Sequence, residues 1–377
     1  MDLSLLGDTG QSIVVSALAF LFVLTVVVFF HELGHFLIAR WCGVRVETFS
    51  VGFGRELIGF TDRHRTRWKL GWVPLGGYVK FLGDDSVAST PDRDNTAVLN
   101  APDSFHTKSV GRRAAIVAAG PIANFILAIV IYALLFSTFG KPITLPLVDQ
   151  VQPGSAAAEA GFQPGDMVLE IDGRRIESFS DITRIVEQSA ELELSILVER
   201  GGERLLLTAT PQLREKVGPF GNSGRVGLLG VSSSGALDAS RIQRYDPLTA
   251  TWVAVKETYH IVEATLGYLG GVIAGRQSAD QLGGPIRIAQ ISGQAASLGL
   301  LVLINLAAVL SVSIGLINLF PIPMLDGGHL MFFAFEAARG RPLSESVQDI
   351  GFRIGLGLVL MLMLFATWND LVQLDVF

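Results

Sequence analysis

Four long apolar runs divide the chain into hydrophobic and polar segments. They cover Gln11 to about Arg40, Ala114–Phe136, about Ala296–Phe320 and Ile350–Trp368. A helix of about 20 apolar residues is long enough to cross the hydrocarbon core of a bilayer. The pattern therefore predicts a polytopic α-helical membrane protein with four transmembrane helices.

The polar segments between these runs complete the predicted domain organisation. We expect the first transmembrane helix in residues 1–40, a membrane-associated β region in 41–113, the second helix in 114–137, a compact α+β module in 140–212, a connector in 213–295, the third helix and a chain break in 296–329, and the fourth helix in 350–369.

Charge predicts how these helices are oriented. Trp41–Arg113 contains eleven Lys and Arg residues, whereas Met1–Gly10 and the tail after Trp368 contain none. Short loops rich in Lys and Arg stay in the cytoplasm. We therefore expect both termini and the 140–212 module outside the cytoplasm. The first run lacks a positive n-region and a small-residue cleavage pattern, so it predicts a retained helix rather than a signal peptide.

The first cytoplasmic segment has a β-like pattern. Val46–Phe53, Leu57–Phe60 and Trp68–Phe81 predict strands, with a polar connection at Thr61–Arg67 and an interruption of the last strand at Gly76-Gly77. These apolar strands favour a small sheet that dips into the membrane, but a plain cytoplasmic hairpin fits equally well. The Ser/Asp/Pro-rich residues from 84 to 103 predict a loop.

Residues 140–212 alternate short β-like runs with two short helices. Turns are predicted at Gly161–Asp166, Asp172-Gly173 and Gly201-Gly202, and Ser180 is the predicted N-cap of a helix that reaches Ser189. This pattern resembles a PDZ domain of the bacterial protease type. Such domains bind extended peptide ends by adding them as a strand.

The connector predicts glycine-rich turns at Gly218–Gly235 and then a helix over Asp246–Gly275. Six apolar residues recur in it at helical spacing: Trp252, Val255, Tyr259, Val262, Leu266 and Leu269. The stripe favours an amphipathic helix on the outer membrane face. Packing against the 140–212 module is the alternative.

The first apolar run ends in a motif with metal-binding spacing. His31 and His35 are four residues apart and share one helix face, so both can bind one metal ion. Glu32 lies beside that face, where a general base belongs. Ionisable residues at the end of a lipid-buried helix indicate function. A polar cluster without metal is the alternative.

A hydrolytic zinc site needs a third protein ligand. The third run leads into a segment in which Pro321 and Pro323 cannot continue a helix. Irregular backbone at membrane depth is tolerated only where it is buried in protein or lines a cavity. Asp326 is the favoured third ligand because Leu325-Asp326-Gly327 after the two prolines predicts a backbone turn that could aim it, and His329 is its competitor.

The second run contains three residues that are unusual in a membrane helix. Gly120-Pro121 permits close helix approach or a kink, and Asn124 needs a polar partner inside the bundle. These residues predict a structural role or a contact beside the metal ligands.

Composition excludes other classes of protein. A mean hydropathy of +0.47 with 17% charged residues is too apolar for a soluble enzyme. The net charge of -6, without a basic stripe, argues against a nucleic-acid partner. The single Cys42 excludes an intrachain disulfide and a cysteine-built zinc site.

Taken together, these motifs resemble the site-2 protease family of intramembrane zinc metalloproteases, and in particular its bacterial RseP branch in a single-PDZ form. The resemblance rests on His31–His35, Gly120-Pro121 with Asn124, Asn318–Pro323 with Leu325–Gly327, and the segments Phe49–Gly54 and Pro74–Lys80. It covers nearly the whole chain. The best-known RseP proteins have two tandem PDZ domains, whereas residues 140–212 have room for one.

The resemblance implies specific roles. One zinc ion per chain would be held by His31, His35 and Asp326, and Glu32 would be the catalytic base. The substrate-binding residues would be Asn318, Pro321, Pro323, Gly76, Gly77 and Tyr78. The implied substrates are single-span proteins in the bacterial inner membrane, such as a shortened anti-sigma factor and remnant signal peptides.

Two other functions were compared with this one. A non-catalytic PDZ receptor for trimmed or misfolded ectodomains would explain the 140–212 module, but it leaves the paired metal motifs without a purpose. A metal transporter would need a second set of intramembrane ligands, and the sequence offers none.

Overall fold

The computed structural model describes residues 3–84, 98, 101–217, 223–233, 240–275, 279 and 283–373. Most of the predicted loop at residues 84–103, part of the glycine-rich turns at 218–235 and the end of the C-terminal tail lie outside the described residues. The chain divides into two compact units. One comprises Met1–Ala133, Thr251–Thr265 and Leu282–Phe377, and the other comprises Leu134–Ala250 and Leu266–Gln281.

The helices of the described residues are α1 (Leu3–Trp41), α2 (Val110–Thr138), α3 (Ala156–Glu159), α4 (Phe179–Gln188), α5 (Pro247–Ile273), α6 (Pro285–Leu298), α7 (Leu300–Asn318), α8 (Asp326–Arg339) and α9 (Glu345–Gln373). By length and composition, four are apolar enough to cross a membrane, over Ile13–Trp41, Val110–Thr138, Leu300–Asn318 and Ser346–Val372. The predicted number of transmembrane helices is confirmed.

The strands are β1 (Val46–Thr61), β2 (Arg67–Phe81), β3 (Lys141–Thr144), β4 (Gln150–Val151), β5 (Met167–Ile171), β6 (Arg174–Arg175), β7 (Leu194–Arg200), β8 (Glu203–Ala209), β9 (Gln212–Val217), β10 (Ser223–Leu228), β11 (Val231–Ser232) and β12 (Ser240–Gln243). Together with the helices they confirm a polytopic membrane protein of mixed α and β structure.

Helix α1 forms the centre of the first unit. Its first half buries Ala19, Val23 and Val27 in a cluster with residues of α6 and α7. Its second half buries Phe36 and Ala39 in another cluster, with residues of β1, β2, α2 and α8. One face of this second half is therefore enclosed by protein, and His31 and His35 lie on it, whereas Phe30, Leu37 and Trp41 are exposed.

Strands β1 and β2 form one antiparallel sheet whose segments exchange partners. Residues 46–51 pair with residues 77–81 on one side and with residues 67–70 on the other, and residues 67–70 also pair with residues 58–61. The predicted interruption at Gly76-Gly77 is wrong as a break, because β2 continues to Phe81. The chain changes its partner between residues 70 and 77 within the strand, with an irregular backbone at Gly76.

The third span starts later than the predicted Ala296. Residues 285–298 form a separate helix, α6, and Gly299 has φ +122°, a conformation that an L side chain rarely adopts. Helix α7 then begins at Leu300. Hydropathy alone could not detect this boundary, because apolar residues continue on both sides of the glycine.

The predicted break after the third span is confirmed. Helix α7 ends at Asn318, α8 begins at Asp326, and Met324 between them has φ +91°. Helix α8 is attached to α2 by an ion pair of 2.6 Å between Arg113 and Glu336. The first residue of α8 therefore has a fixed position although the preceding chain is irregular.

The second unit contains a four-stranded sheet in the order β6-β5-β7-β8. Helices α3 and α4 cover its core, which includes Val168, Ile182 and Ile196. The predicted N-cap of α4 at Ser180 is wrong. The helix starts at Phe179, and Ser178 forms a capping box with Asp181.

The predicted end of this module at Gln212 is also wrong. Strand β11 pairs with β4, and β12 pairs with β3. Leu229 belongs to the module's buried core. The first part of the predicted 213–295 connector therefore completes the module. Short strands that pair with distant segments give little signal in the local sequence pattern.

The predicted helix in the connector is observed as α5, with Asp246 as its N-cap. Trp252, Tyr259 and Leu266 of the predicted apolar stripe are exposed, whereas Ala250 and Ala254 are buried. The stripe is therefore not the buried face of α5 among the described residues, and its place on the membrane surface stays a prediction.

A buried ion pair stabilises the second unit. Arg200 donates to both carboxylate oxygens of Asp166 at 2.6 and 2.7 Å, and the Gln163 amide donates at 2.8 Å. Burial by itself raises the pKa of Asp166, but these donors hold it below its usual value. The pair contributes its full stability above the unfolded-state pKa of about 3.9 and loses it as pH falls through the folded-state pKa.

We expect Arg200→Gln to destabilise this module at pH 7 by about 2 kcal/mol, because Asp166 then remains buried without its cation. Amide hydrogen exchange in β5 and β7 should accelerate, and the difference from wild type should narrow as Asp166 becomes protonated. Arg174→Gln, which removes an exposed guanidinium, is the matched control. Equal exchange in both variants would contradict the prediction.

Candidate metal centre

Three predicted ligands from two helices meet in the first unit. His31 and His35 lie on α1, and Asp326 is the first residue of α8. The Nε2 atoms of the histidines are 3.3 Å apart, and each lies close to Asp326, at 3.1 Å for His31 and 3.5 Å for His35. Their possible ligand atoms lie within 4.8 Å of one another, the one such group found among the described residues.

A hydrogen bond determines which nitrogen of His35 faces this cluster. Nδ1 of His35 lies 2.9 Å from the carbonyl oxygen of Ile116 on α2. A carbonyl can only accept, so Nδ1 must carry the proton, and Nε2 presents a lone pair to the cluster. This arrangement is typical of a metal-binding histidine whose other ring nitrogen is held by the protein.

Asn124 on α2 provides the corresponding contact for His31. Its amide nitrogen lies 3.3 Å from Nδ1 of His31, and its Oδ1 atom is buried without a hydrogen-bond partner. Rotating the amide by 180° directs Oδ1 toward Nδ1 of His31, where it accepts a hydrogen bond from Nδ1–H, and the lone pair of Nε2 then faces the cluster. The polar partner that the sequence predicts for Asn124 is therefore a histidine of the motif.

The donor set fits a zinc ion. Oδ2 of Asp326 is buried and accepts no hydrogen bond although His31 Nε2 is 3.1 Å away. Three acceptors that face one another without intervening protons need a cation between them. Two imidazoles and one carboxylate, with a fourth position left to water, match the ligands of hydrolytic zinc sites.

Two glycines allow α1 and α2 to approach at this level. A Cβ on Gly34 would collide with the carbonyl oxygen of Ala119, and a Cβ on Gly120 would lie against the imidazoles of His35 and His31. The sequence pattern predicts a role for Gly120-Pro121 but none for Gly34 or Ile116. The position of Gly34 between the two histidines of the motif was a signal that could have predicted its role. The contact of the Ile116 carbonyl gives no such signal, because any residue has a backbone carbonyl.

Glu32 is half-buried on the side of α1 that faces the sheet. A Cβ on Gly77 would lie 3.1 Å from Cγ of Glu32 and 2.9 Å from Cγ1 of Val28, so the sheet passes close to this side of α1. Residues 77–81 pair with residues 46–51 on their other side. The edge segment of the sheet therefore runs past the predicted base.

The other predicted substrate-binding residues occupy different surroundings. Asn318 is the half-buried last residue of α7, and Pro321 is exposed. A Cβ on Gly355 of α9 would collide with Pro323. Gly76 has φ +147°, and the ring of Tyr78 stacks on Phe53 at 6.1 Å.

The competing ligand His329 does not join the cluster among the described residues. Its ring lies 5.4 Å from that of Phe352 on α9. Position 329 is three residues after Asp326 and lies close to the same face of α8. It is nearly one turn further along the helix axis, where its ring packs against α9. Of the two candidates that the sequence offers, the geometry favours Asp326.

Comparison with known proteins finds a family match and several relatives that cover most of the chain. The sequence profile of peptidase family M50 matches residues 19–362. A Rhizobium meliloti protein named as a zinc metalloprotease is 52% identical over 356 residues, covering 93% of this chain and 95% of that protein. Metalloprotease MmpA of Caulobacter vibrioides is 43% identical over 382 residues, covering 95% of each.

Among solved structures, the PDZ domain of the SdrC-like protein from Listeria monocytogenes is similar to 24% of this chain. The match covers 88% of that domain, at 18% sequence identity and a TM-score of 0.20.

Proposed function

Because this chain belongs to peptidase family M50 and is a zinc metalloprotease, we propose that it hydrolyses peptide bonds within the transmembrane segments of single-span membrane proteins. In this proposal His31, His35 and Asp326 hold one zinc ion per chain. The observation that carries the proposal is the convergence of these ligand atoms within 4.8 Å at the end of a membrane-spanning helix. Since the chain is a metalloprotease, the non-catalytic receptor is not supported.

The chemistry is divided between the metal and the protein. When bound, zinc supplies a Lewis acid that polarises the scissile carbonyl and lowers the pKa of a coordinated water toward about 7. Glu32 accepts the proton of the attacking water and passes it to the leaving amine nitrogen. Ile116 and Asn124 keep the Nε2 atoms of the two histidines aimed at the ligand cluster.

The sheet provides a way to hold an unwound substrate. A transmembrane helix has its own amides paired, so it must open locally before a bond can be cut. Residues 77–81 form an edge segment beside Glu32, and an edge offers unpaired backbone groups to an added strand. In the proposal the substrate pairs with this edge, and the Asn318 amide bonds its backbone on the other side.

The finer features of the function are proposals as well. We place the protein in a bacterial inner membrane, with the termini and the PDZ-like module outside the cytoplasm and the metal centre near the cytoplasmic side. The density of Lys and Arg between the first two spans supports this orientation. Shortened anti-sigma factors and remnant signal peptides are the proposed substrates within the RseP branch, and peptide ends are the proposed ligands of the module.

Removal and return of the metal tests this function. We expect the purified protein in detergent to cut a model single-span substrate, to lose this activity on chelation, and to regain it with about one equivalent of Zn²⁺ per chain. Mass spectrometry of the products should place the cut inside the apolar segment. Cleavage confined to polar segments outside the span would contradict intramembrane hydrolysis, even if zinc were required.

A further inference from the structure

Helix α8 carries the third predicted ligand, although the chain that leads into it is irregular. Asp326 is its first residue, and Met324 just before it has φ +91°. In the second half of α8, residues 334, 335 and 337–339 are exposed, whereas Phe333 is buried and Glu336 is half-buried. The face that carries Phe333 and Glu336 therefore holds this half of the helix against the protein.

Arg113, near the start of α2, contacts this face twice. Its Nη2 donates to Oε1 of Glu336 at 2.6 Å, and its guanidinium carbon lies 5.0 Å from the centre of the Phe333 ring. Its Nε donates to the carbonyl oxygen of Lys108 at 3.1 Å. The guanidinium is planar and its donors point in fixed directions, so these contacts together fix its position.

The ion pair of Arg113 and Glu336 is largely buried. The two side chains are 14% and 13% exposed. Exposed ion pairs contribute little, but removing one partner of a buried pair leaves the other charge without compensation. A neutral substitution of either residue should therefore release this end of α8, because the remaining charge then has to reach water.

Helix α2 also contacts both histidines of α1. Ile116 and Asn124 follow Arg113 by nearly one and nearly three helical turns, so the three residues lie close to one side of α2. The carbonyl oxygen of Ile116 is 2.9 Å from Nδ1 of His35. The amide nitrogen of Asn124 is 3.3 Å from Nδ1 of His31. One side of α2 therefore contacts the two histidine ligands directly and the helix of the third ligand through Arg113.

We propose, on the basis of the zinc site proposed above, that Arg113 is a positioning residue that determines where Asp326 lies relative to the two histidines. Glu336 is about 15 Å along the helix axis from Asp326, so its ion pair prevents α8 from tilting or turning. Metal–ligand distances vary by only about 0.2 Å. A small rotation of α8 would therefore remove the Asp326 oxygens from their places 3.1 and 3.5 Å from the histidine Nε2 atoms.

The test measures metal binding by the full-length protein in detergent. Arg113→Gln and Glu336→Gln should each lower zinc affinity about tenfold, since groups that support a metal ligand typically contribute about 10–100-fold. Competition with a zinc chelator gives the affinity. Arg112→Gln removes the adjacent, exposed guanidinium and should bind zinc as the wild type does, which separates the ion pair from general positive charge.

Two readouts distinguish positioning from a general loss of stability. The visible absorption of Co²⁺ bound in place of zinc reports its ligand geometry. The Co²⁺ spectrum of Arg113→Gln should move toward that of Asp326→Ala, whereas a variant that only unfolds more easily would bind less Co²⁺ with an unchanged spectrum. The double variant Arg113→Gln/Glu336→Gln should lose no more affinity than either single variant, because it leaves no buried charge unpaired.

The outcomes separate this role from the zinc site itself. Wild-type affinity and spectrum in both single variants, an equal loss in Arg112→Gln, or losses that multiply in the double variant would overturn the positioning role and leave the zinc site in place. If Arg113→Gln does not fold, Glu336→Gln carries the same comparison. His31→Ala tests the site: if it binds zinc as tightly as the wild type, the proposed ligands are wrong and the proposed function fails instead.

Discussion

Replacing Glu32 with glutamine is expected to abolish peptide-bond cleavage while zinc stays bound. The amide keeps the size of the side chain but cannot accept the proton of the attacking water. General-base catalysis is worth about 10²–10⁴-fold in rate, so turnover of a single-span substrate should fall by at least that factor. The three ligand atoms of His31, His35 and Asp326 are untouched, and metal analysis of the purified variant should still give about one zinc per chain.

A matched variant separates this effect from the loss of a negative charge. Glu193→Gln removes an exposed carboxylate of the second unit and should leave both cleavage and zinc content unchanged. If Glu32→Gln still cut the substrate at a comparable rate, Glu32 would not be the base. If it lost zinc together with activity, its role would be in metal binding.

The convergence of His31, His35 and Asp326 could be predicted from the sequence because its signal is periodic and local. The spacing of His31 and His35 determines that they share a helix face, and two prolines require a break after the third span. The choice between Asp326 and His329 was not decided by this pattern. It depends on how α8 is rotated after an irregular segment, which is set by distant contacts such as Arg113 with Glu336.

Other features depended on pairing that no local pattern reveals. Residues 46–51 form backbone pairs on both of their edges, with residues 77–81 on one side and residues 67–70 on the other. The module continues beyond Gln212 because β11 and β12 pair with strands about 80 to 100 residues earlier in the chain. The boundary between α6 and α7 rests on a single glycine conformation inside an apolar run. Hydrophobic periodicity reports which face is buried, and it does not report what the face is buried against.

Replacing Gly120 with alanine is expected to impair zinc binding, although Gly120 is not a ligand. A Cβ at this position would lie 2.9 Å from Nε2 of His31 and nearer still to Nε2 of His35. The methyl group would therefore occupy the space where these nitrogens face the metal, and the rings would have to turn away. Disturbing the support of a zinc ligand weakens metal affinity by about 10–100-fold, and we expect a loss at the upper end. Competition with a zinc chelator measures it directly.

Gly111→Ala on the same helix is the matched control, since nothing lies within 4 Å of a Cβ built there. Both substitutions replace glycine with the better helix former alanine, so an effect of alanine itself on α2 is tested by Gly111→Ala without the collision. Only Gly120→Ala adds a collision with the imidazoles. Unchanged zinc affinity in Gly120→Ala would show that α1 and α2 can separate without disturbing the ligands, and the close approach of the two helices would then have no part in building the metal centre.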